Sequence, residues 1–170
     1  MNITLIGYRG TGKSVVGKIV SQRLQMNCIG MDAKIVEMAG MSIPEIVEKN
    51  GWTTFRNMES EVVRTLSALD NIVIDTGGGV IERPENIDAL IANSYIFWLK
   101  ASTRTIVSRI QGDTERPSLT GQKSFTEEVE EVLQRRSPIY ARAAHYEIDT
   151  EHLTPEQVAD RIIEIWQNGE

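Results

Sequence analysis

A three-layer α/β domain, with a five-stranded parallel sheet between layers of helices, is what this sequence leads one to expect, and three observations carry that expectation. Short apolar runs alternate with helical stripes along the whole chain. The runs are continuously apolar, as strands buried on both faces are. Between the first run and the first stripe stands Gly7-Tyr8-Arg9-Gly10-Thr11-Gly12-Lys13-Ser14, which satisfies the phosphate-binding loop pattern of Gly, four free positions, then Gly-Lys-Ser/Thr. No repeat, low-complexity tract or linker divides the 170 residues, so 1–170 is read as a single domain.

Taken in order, Ile3-Thr4-Leu5-Ile6 is the first strand, and beyond the loop Val15, Val16, Ile19, Val20 and Leu24 recur at helical spacing. Asn27 to Asp32 reads as a second strand ending in a carboxylate, followed by a helix from Ala33 to Ala39 that Gly40 closes. Ser42-Ile43-Pro44-Glu45 has the spacing of a capping box and opens a helix to about Lys49. Asn50-Gly51 turns the chain, and Phe55, Met58, Val62, Leu66 and Leu69 form the stripe of a helix over 53–69.

Ile72 to Asp75 is the third strand, and it empties into Gly77-Gly78-Gly79, where the backbone must approach something closely. Pro84 starts another helix, Tyr95 to Leu99 is the fourth strand, and Ser102 to Gln111 a further helix. The polar stretch at about 112–124, rich in Gly, Thr and Ser, reads as a mobile lid. Ser124-Phe125-Thr126-Glu127 repeats the capping spacing before a helix expected to end at Arg136. Tyr146 to Asp149 is the fifth strand, and Thr154-Pro155-Glu156-Gln157 starts a last helix with Val158, Ile162 and Ile165 inward.

Composition narrows the class. With 41% hydrophobic and 25% charged residues the chain has the make-up of an ordinary soluble globule. A net charge of −6 argues against bulk binding to nucleic acid or anionic membrane. No apolar run approaches membrane-spanning length, and Met1 to Ile6 leads straight into the loop without a signal sequence, so a cytosolic location is expected. Cys28 is the lone cysteine, expected to be buried and without redox function. His145 and His152 show no metal spacing, and Trp52, Trp98 and Trp166 read as packing residues. No apolar stripe is left over, which favours a monomer.

The loop supplies the first chemistry. Gly10, Thr11, Gly12, Lys13, Ser14 and Val15 are the expected cradle for the phosphates of ATP. Lys13 would reach the β- and γ-phosphates, Ser14 would hold Mg²⁺ through its hydroxyl, and the next helix would aim its positive end at the anion. In an open parallel sheet ligands bind outside the C-terminal strand ends, so Gly7 to Ser14, Asp32, Asp75 and Gly77 to Gly79 should gather on one edge.

These residues, with Gly51-x-x-x-Phe55-Arg56-x-x-Glu59, Arg116-Pro117 and Arg136-x-Pro138-x-Tyr140, resemble the shikimate kinase family from about Ile3 to Asp149. The resemblance implies a phosphate-loop kinase fold and transfer of the γ-phosphoryl of ATP to the 3-hydroxyl of shikimate, a step toward chorismate and the aromatic amino acids. Carried over by position, it implies that Asp32 holds the substrate hydroxyls and takes the proton, and that Arg56 and Arg136 bind the substrate carboxylate. Gly77, Gly78 and Gly79 would close around the ring, Arg116 would close over the phosphates, and Arg109 would lie against the adenine. Lys13, Asp32 and Arg116 are then the catalytic residues. Read singly, Arg56 and Glu59 are a helix-surface pair at i, i+3, Arg136 a charge near a helix end, and the glycines a turn.

The family usually shows Asp-x-Asp at the end of the second strand, and here the first of those places is Gly30. Asp75, at the next strand end, is a candidate to take over the lost role of holding the Mg²⁺ waters; a cap on the glycine turn is the other reading of it. Trp52 stands where the family commonly has Glu, and Ser118 where it has Leu. Two other functions stay open on sequence alone. A kinase for another polyol acid such as gluconate would keep the loop and lid, and a regulatory ATPase would keep only the loop. The arginine pair speaks against the latter, as does the lack of an Asn/Thr-Lys-x-Asp guanine signature.

Overall fold

Strands and helices alternate in the order β1 (Asn2–Ile6), α1 (Lys13–Leu24), β2 (Asn27–Gly30), α2 (Met31–Ala39), α3 (Ile43–Ser67), β3 (Ile72–Asp75), a 3₁₀ turn at Val80–Glu82, α4 (Pro84–Ile91), β4 (Ser94–Lys100), α5 (Thr103–Ile110), α6 (Phe125–Ala143), β5 (Tyr146–Asp149) and α7 (Pro155–Asn168). This computed structural model describes residues 1–111, 119 and 124–169. Of the expected lid at 112–124, only Leu119 and Ser124 are therefore described; Arg116 and Ser118 lie outside the described residues. The five strands form one parallel sheet in the order β2-β3-β1-β4-β5.

Alternation within each strand divides the apolar residues between two faces. Ile6, Ile74, Ile96 and Trp98 pack with Met31, Ile35, Phe55, Val63, Leu90 and Tyr140 from α2, α3, α4 and α6. Ile3, Leu5, Val73, Phe97 and Leu99 turn the other way, onto Val16 and Val20 of α1 and Val158 and Ile162 of α7. Both faces are covered, as the continuous apolar runs require. A third cluster joins Tyr8, Ile106, Ile110, Val129 and Val132 between α5 and α6. Among the described residues no helix is long and apolar enough to cross a membrane.

Three boundaries differ from the sequence expectation. Strand β2 stops at Gly30, and Met31 and Asp32 already belong to α2, so Asp32 lies in a helical first turn. A carboxylate is favoured there by the positive end of the helix. The helices expected on either side of Gly51 form one run, α3, broken at Gly51 itself (φ 83°, ψ 168°). That conformation is almost confined to glycine, and it lets α3 change direction just before Trp52 and Arg56. Helix α6 runs through Pro138 to Ala143 instead of ending at Arg136, because the burial of Arg136, Tyr140 and Ala143 outweighs the lost N–H bond. Cys28 is half-buried, not fully buried, where β2 passes Gly17 of α1.

Candidate active site

The loop expected from the sequence sits at the C-terminal edge of the sheet, between β1 and α1. Helix α1 begins with Gly12 as its cap, with no side-chain cap bond and no acidic residue in its first turn. Its first N–H groups are thus left to an anion. Gly10 has φ +84°, and a Cβ there would come within 2.6 Å of Ile110 Cγ2, so only glycine lets the loop lie this close to α5. Thr11 Oγ1 donates to the Tyr8 carbonyl at 2.9 Å, bracing the loop from inside. Lys13, buried, donates from Nζ to the carbonyls of Gly7 at 2.7 Å and Tyr8 at 3.1 Å. Arg109, in the last turn of α5, donates to the Gly10 carbonyl at 2.9 Å, and Val15 stands exposed beside the loop.

Asp75 reaches this loop from the neighbouring strand end. Ser14 Oγ donates to its Oδ2 at 2.6 Å. In the sheet Gly30 pairs with Asp75, and a Cβ on Gly30 would lie 4.0 Å from the same Oδ2. The carboxylate at the end of β3 therefore stands next to the place on β2 that carries no side chain. Burial pushes the Asp75 carboxyl above its usual pKa, while the Ser14 hydroxyl and Lys13 pull against it.

A cleft of about 1000 Å³ is lined by Gly10, Gly12, Lys13, Ser14, Val15, Gly30, Asp32, Asp75, Gly77 and Gly78, with Val36, Met41 and Ile43 as an apolar wall. Arg9 and Gly78 also line a smaller pocket formed with Tyr8, Trp52, Arg56, Gly79, Leu119, Glu128 and Arg136, so the two spaces adjoin across these two residues. The sheet edge thus joins Asp32, Asp75, the loop and the glycines, as expected, to both arginines.

The two guanidinium groups are held from behind. Arg56 Nη1 donates to Glu59 Oε1 at 2.8 Å, and Glu59 is only 1% exposed. The Arg56 guanidinium also packs over the rings of Trp52 and Phe55, at 5.5 and 5.2 Å from their centroids. Trp52 is therefore more than the packing residue it was expected to be. Gly79 gives Arg56 its space, since a Cβ there would fall within 2.6 Å of the guanidinium. Arg136, buried in α6, donates from Nε to Glu82 Oε1 at 2.7 Å and lies over the Tyr8 ring at 5.8 Å. Its Nη1 passes 3.4 Å from where a Cβ on Gly78 would be. Tyr140 donates its hydroxyl to the Gly78 carbonyl, tying the glycine turn to α6.

Sequence reasoning missed Arg9, Tyr8, Tyr140 and Glu82 as members of the site. Arg9 and Tyr8 occupy free positions of the loop pattern, which says nothing of their chemistry. Glu82 belongs to a 3₁₀ turn and meets α6 from 54 residues away, with no local spacing to announce it. His145 is structural, as expected: its Nδ1 accepts from the Ile96 amide at 3.0 Å.

Comparison with known proteins gives a consistent picture. The family model described as Shikimate kinase matches residues 9–167. The shikimate kinase of Thermodesulfovibrio yellowstonii is 42% identical over 166 residues, covering 98% of this chain and 95% of that protein. That of Caldanaerobacter subterraneus is 43% identical over 162 residues, covering 95% and 94%. A solved structure of shikimate kinase from Acinetobacter baumannii in complex with shikimate is similar with a TM-score of 0.94 and 29% identity, covering 99% of this chain and 94% of that one.

Proposed function

Because this chain belongs to the shikimate kinase family, and so is an ATP-dependent small-molecule kinase of the shikimate pathway, we propose that it moves the γ-phosphoryl of ATP to the 3-hydroxyl of shikimate across the junction of its two adjoining spaces. The observation that carries this reading is that the cleft at Lys13 and Asp32 adjoins the pocket at Arg56 and Arg136. One space suits a triphosphate on a helix N-terminus, and the other suits a small carboxylate between two forked cations.

In this mechanism Arg56 and Arg136 bind the acceptor carboxylate, and Gly77, Gly78 and Gly79 let the ring lie against backbone. Asp32 accepts hydrogen bonds from the hydroxyls and takes the proton of the one that attacks. Lys13, anchored on the carbonyls of Gly7 and Tyr8, lies within the loop for the β- and γ-phosphates, where its charge stabilises transfer. Gly10, Thr11, Gly12, Ser14 and Val15 line the phosphate path, and Arg109 flanks the adenine. Arg116 is assigned to the phosphates by resemblance alone. The enzyme works in this reading as a cytosolic monomer with ATP and shikimate as partners, and its charge of −6 disfavours polyanions.

Ser14 would hold Mg²⁺ through its hydroxyl, and the Asp75 carboxylate would hold waters of the ion. The fit rests on the Ser14 Oγ to Asp75 Oδ2 bond of 2.6 Å at the mouth of the loop. A hydroxyl with a carboxylate behind it suits an ion that would keep several waters and bind mainly through substrate phosphates. When bound it would neutralise charge on the β- and γ-oxygens.

The testing experiment is ADP release with Mg²⁺ and ATP, with and without shikimate, with gluconate and quinate as controls. Turnover confined to shikimate is expected; turnover without an acceptor, or with gluconate alone, overturns the assignment of Asp32, Arg56 and Arg136. For Asp75, calorimetry of ATP binding across a Mg²⁺ titration is the direct measure. Asp75→Asn should raise the Mg²⁺ needed for half-saturation, and an unchanged requirement removes Asp75 from the metal site.

A further inference from the structure

We propose that Glu82 is a positioning residue for the acceptor site, acting through Arg136. The inference rests on the reading that Arg136 binds the acceptor carboxylate. Glu82 is engaged on both oxygens: Oε1 accepts from Arg136 Nε at 2.7 Å and Oε2 from Arg135 Nη1 at 3.0 Å. Arg135 is mostly exposed, while Arg136 is buried, so the carboxylate is tied to the surface on one side and to the pocket on the other.

An arginine can present its guanidinium as a fork only if something fixes the rotation of its long side chain. Glu82 takes the Nε edge, which leaves the terminal nitrogens at the pocket wall beside Gly78 and Tyr8. Glu59 holds Arg56 by a terminal nitrogen, Nη1, instead of by Nε, so each of the two cations of the pocket has a carboxylate behind it, and only Arg136 has its Nε edge taken. The placement of Glu82 comes from the 3₁₀ turn that directly follows Gly79, so one short segment sets both the backbone facing the ring and the angle of Arg136. Hydrogen bonds from Arg136 and Arg135 hold the Glu82 carboxyl below its usual pKa although partial burial opposes this, which keeps it charged for that task.

Steady-state kinetics of Glu82→Gln, Arg135→Ala and Arg136→Ala test the proposal. Glu82→Gln should raise KM for shikimate roughly tenfold, with kcat within about twofold and KM for ATP unmoved, because the interaction lost is one of orientation. Glu82→Asp should recover part of the loss. Added to Arg136→Ala, Glu82→Gln should cause no further change, since its effect passes through that side chain. Arg135→Ala serves if Glu82→Gln fails to fold, and should raise the same KM by a smaller factor, roughly threefold. An unchanged KM for shikimate in both Glu82→Gln and Arg135→Ala, or equal rises for shikimate and ATP, overturns the role of Glu82 while Arg136→Ala still raises KM for shikimate. If Arg136→Ala leaves that KM unchanged, the carboxylate site itself is wrong and the role of Glu82 falls with it.

Discussion

At the residue scale, one side chain of the site serves both the chemistry and the fold. Lys13, assigned to the β- and γ-phosphates, also bridges the Gly7 and Tyr8 carbonyls. Lys13→Ala should therefore abolish turnover and also lower stability by about 1–3 kcal/mol, the cost of leaving buried acceptors without their charged donor. Kinetics together with a thermal melt check both halves, and a melt identical to the parent's would mean that water replaces the ammonium. Gly79→Ala tests the acceptor side of the site. Gly79 has an ordinary φ of −97°, so a methyl group there meets no backbone strain, only the Arg56 guanidinium within 2.6 Å. Arg56 must move away from the buried Glu59, so KM for shikimate should rise at least roughly tenfold and the melting temperature should fall, while KM for ATP stays near the parent's.

At the element scale, the break in α3 decides where Arg56 points. A Cβ on Gly51 would meet nothing within 4 Å, so the cost of Gly51→Ala is purely that of φ 83° and ψ 168° for an alanine. About 1–3 kcal/mol of destabilisation is expected, measurable by denaturant unfolding, with a raised KM for shikimate as the helix re-aims Trp52 and Arg56. The break was legible in the sequence because Asn50-Gly51 is a turn signal, and the strands were legible because a buried parallel strand leaves an unbroken apolar run. The extension of α6 past Pro138 was not. Pro138 is a local stop signal, and what overrides it is long-range: Tyr140, buried in the core, donates to the Gly78 carbonyl. The site divides along the same line. Lys13, Ser14 and the glycines follow from a contiguous pattern and Trp52 over Arg56 from i, i+4 spacing within α3, whereas Glu82 behind Arg136 exists only once distant segments meet.

At the scale of the whole molecule, two ionisable groups tie separate layers together and set how stability responds to pH. Glu151, in the turn after β5, accepts from the Ser102 amide at 2.9 Å, the Ser102 hydroxyl at 2.9 Å and the Thr105 hydroxyl at 2.5 Å, fastening that turn to the start of α5. These bonds, the Ser102 amide first, lower its pKa from 4.5 to about 2. Its contribution is present above the unfolded value and is lost as pH falls from about 4.5 toward 2, so Glu151→Gln should melt with a shallower acid limb. Tyr140 acts at the other end of the scale. Burial raises its phenol from 10.0 to about 12, against the pull of Arg136. Its folded-state pKa lies above the unfolded one, so its contribution is complete below pH 10.0 and disappears as pH climbs toward 12. Tyr140→Phe loses the hydrogen bond to the Gly78 carbonyl and should be less stable by about 1 kcal/mol near neutrality. It has no phenol to ionise, so its stability should fall less steeply through the alkaline range, and the two melting curves should converge there. Curves that stay parallel from neutral to strongly alkaline pH would mean that the phenol is not held between α6 and the glycine turn.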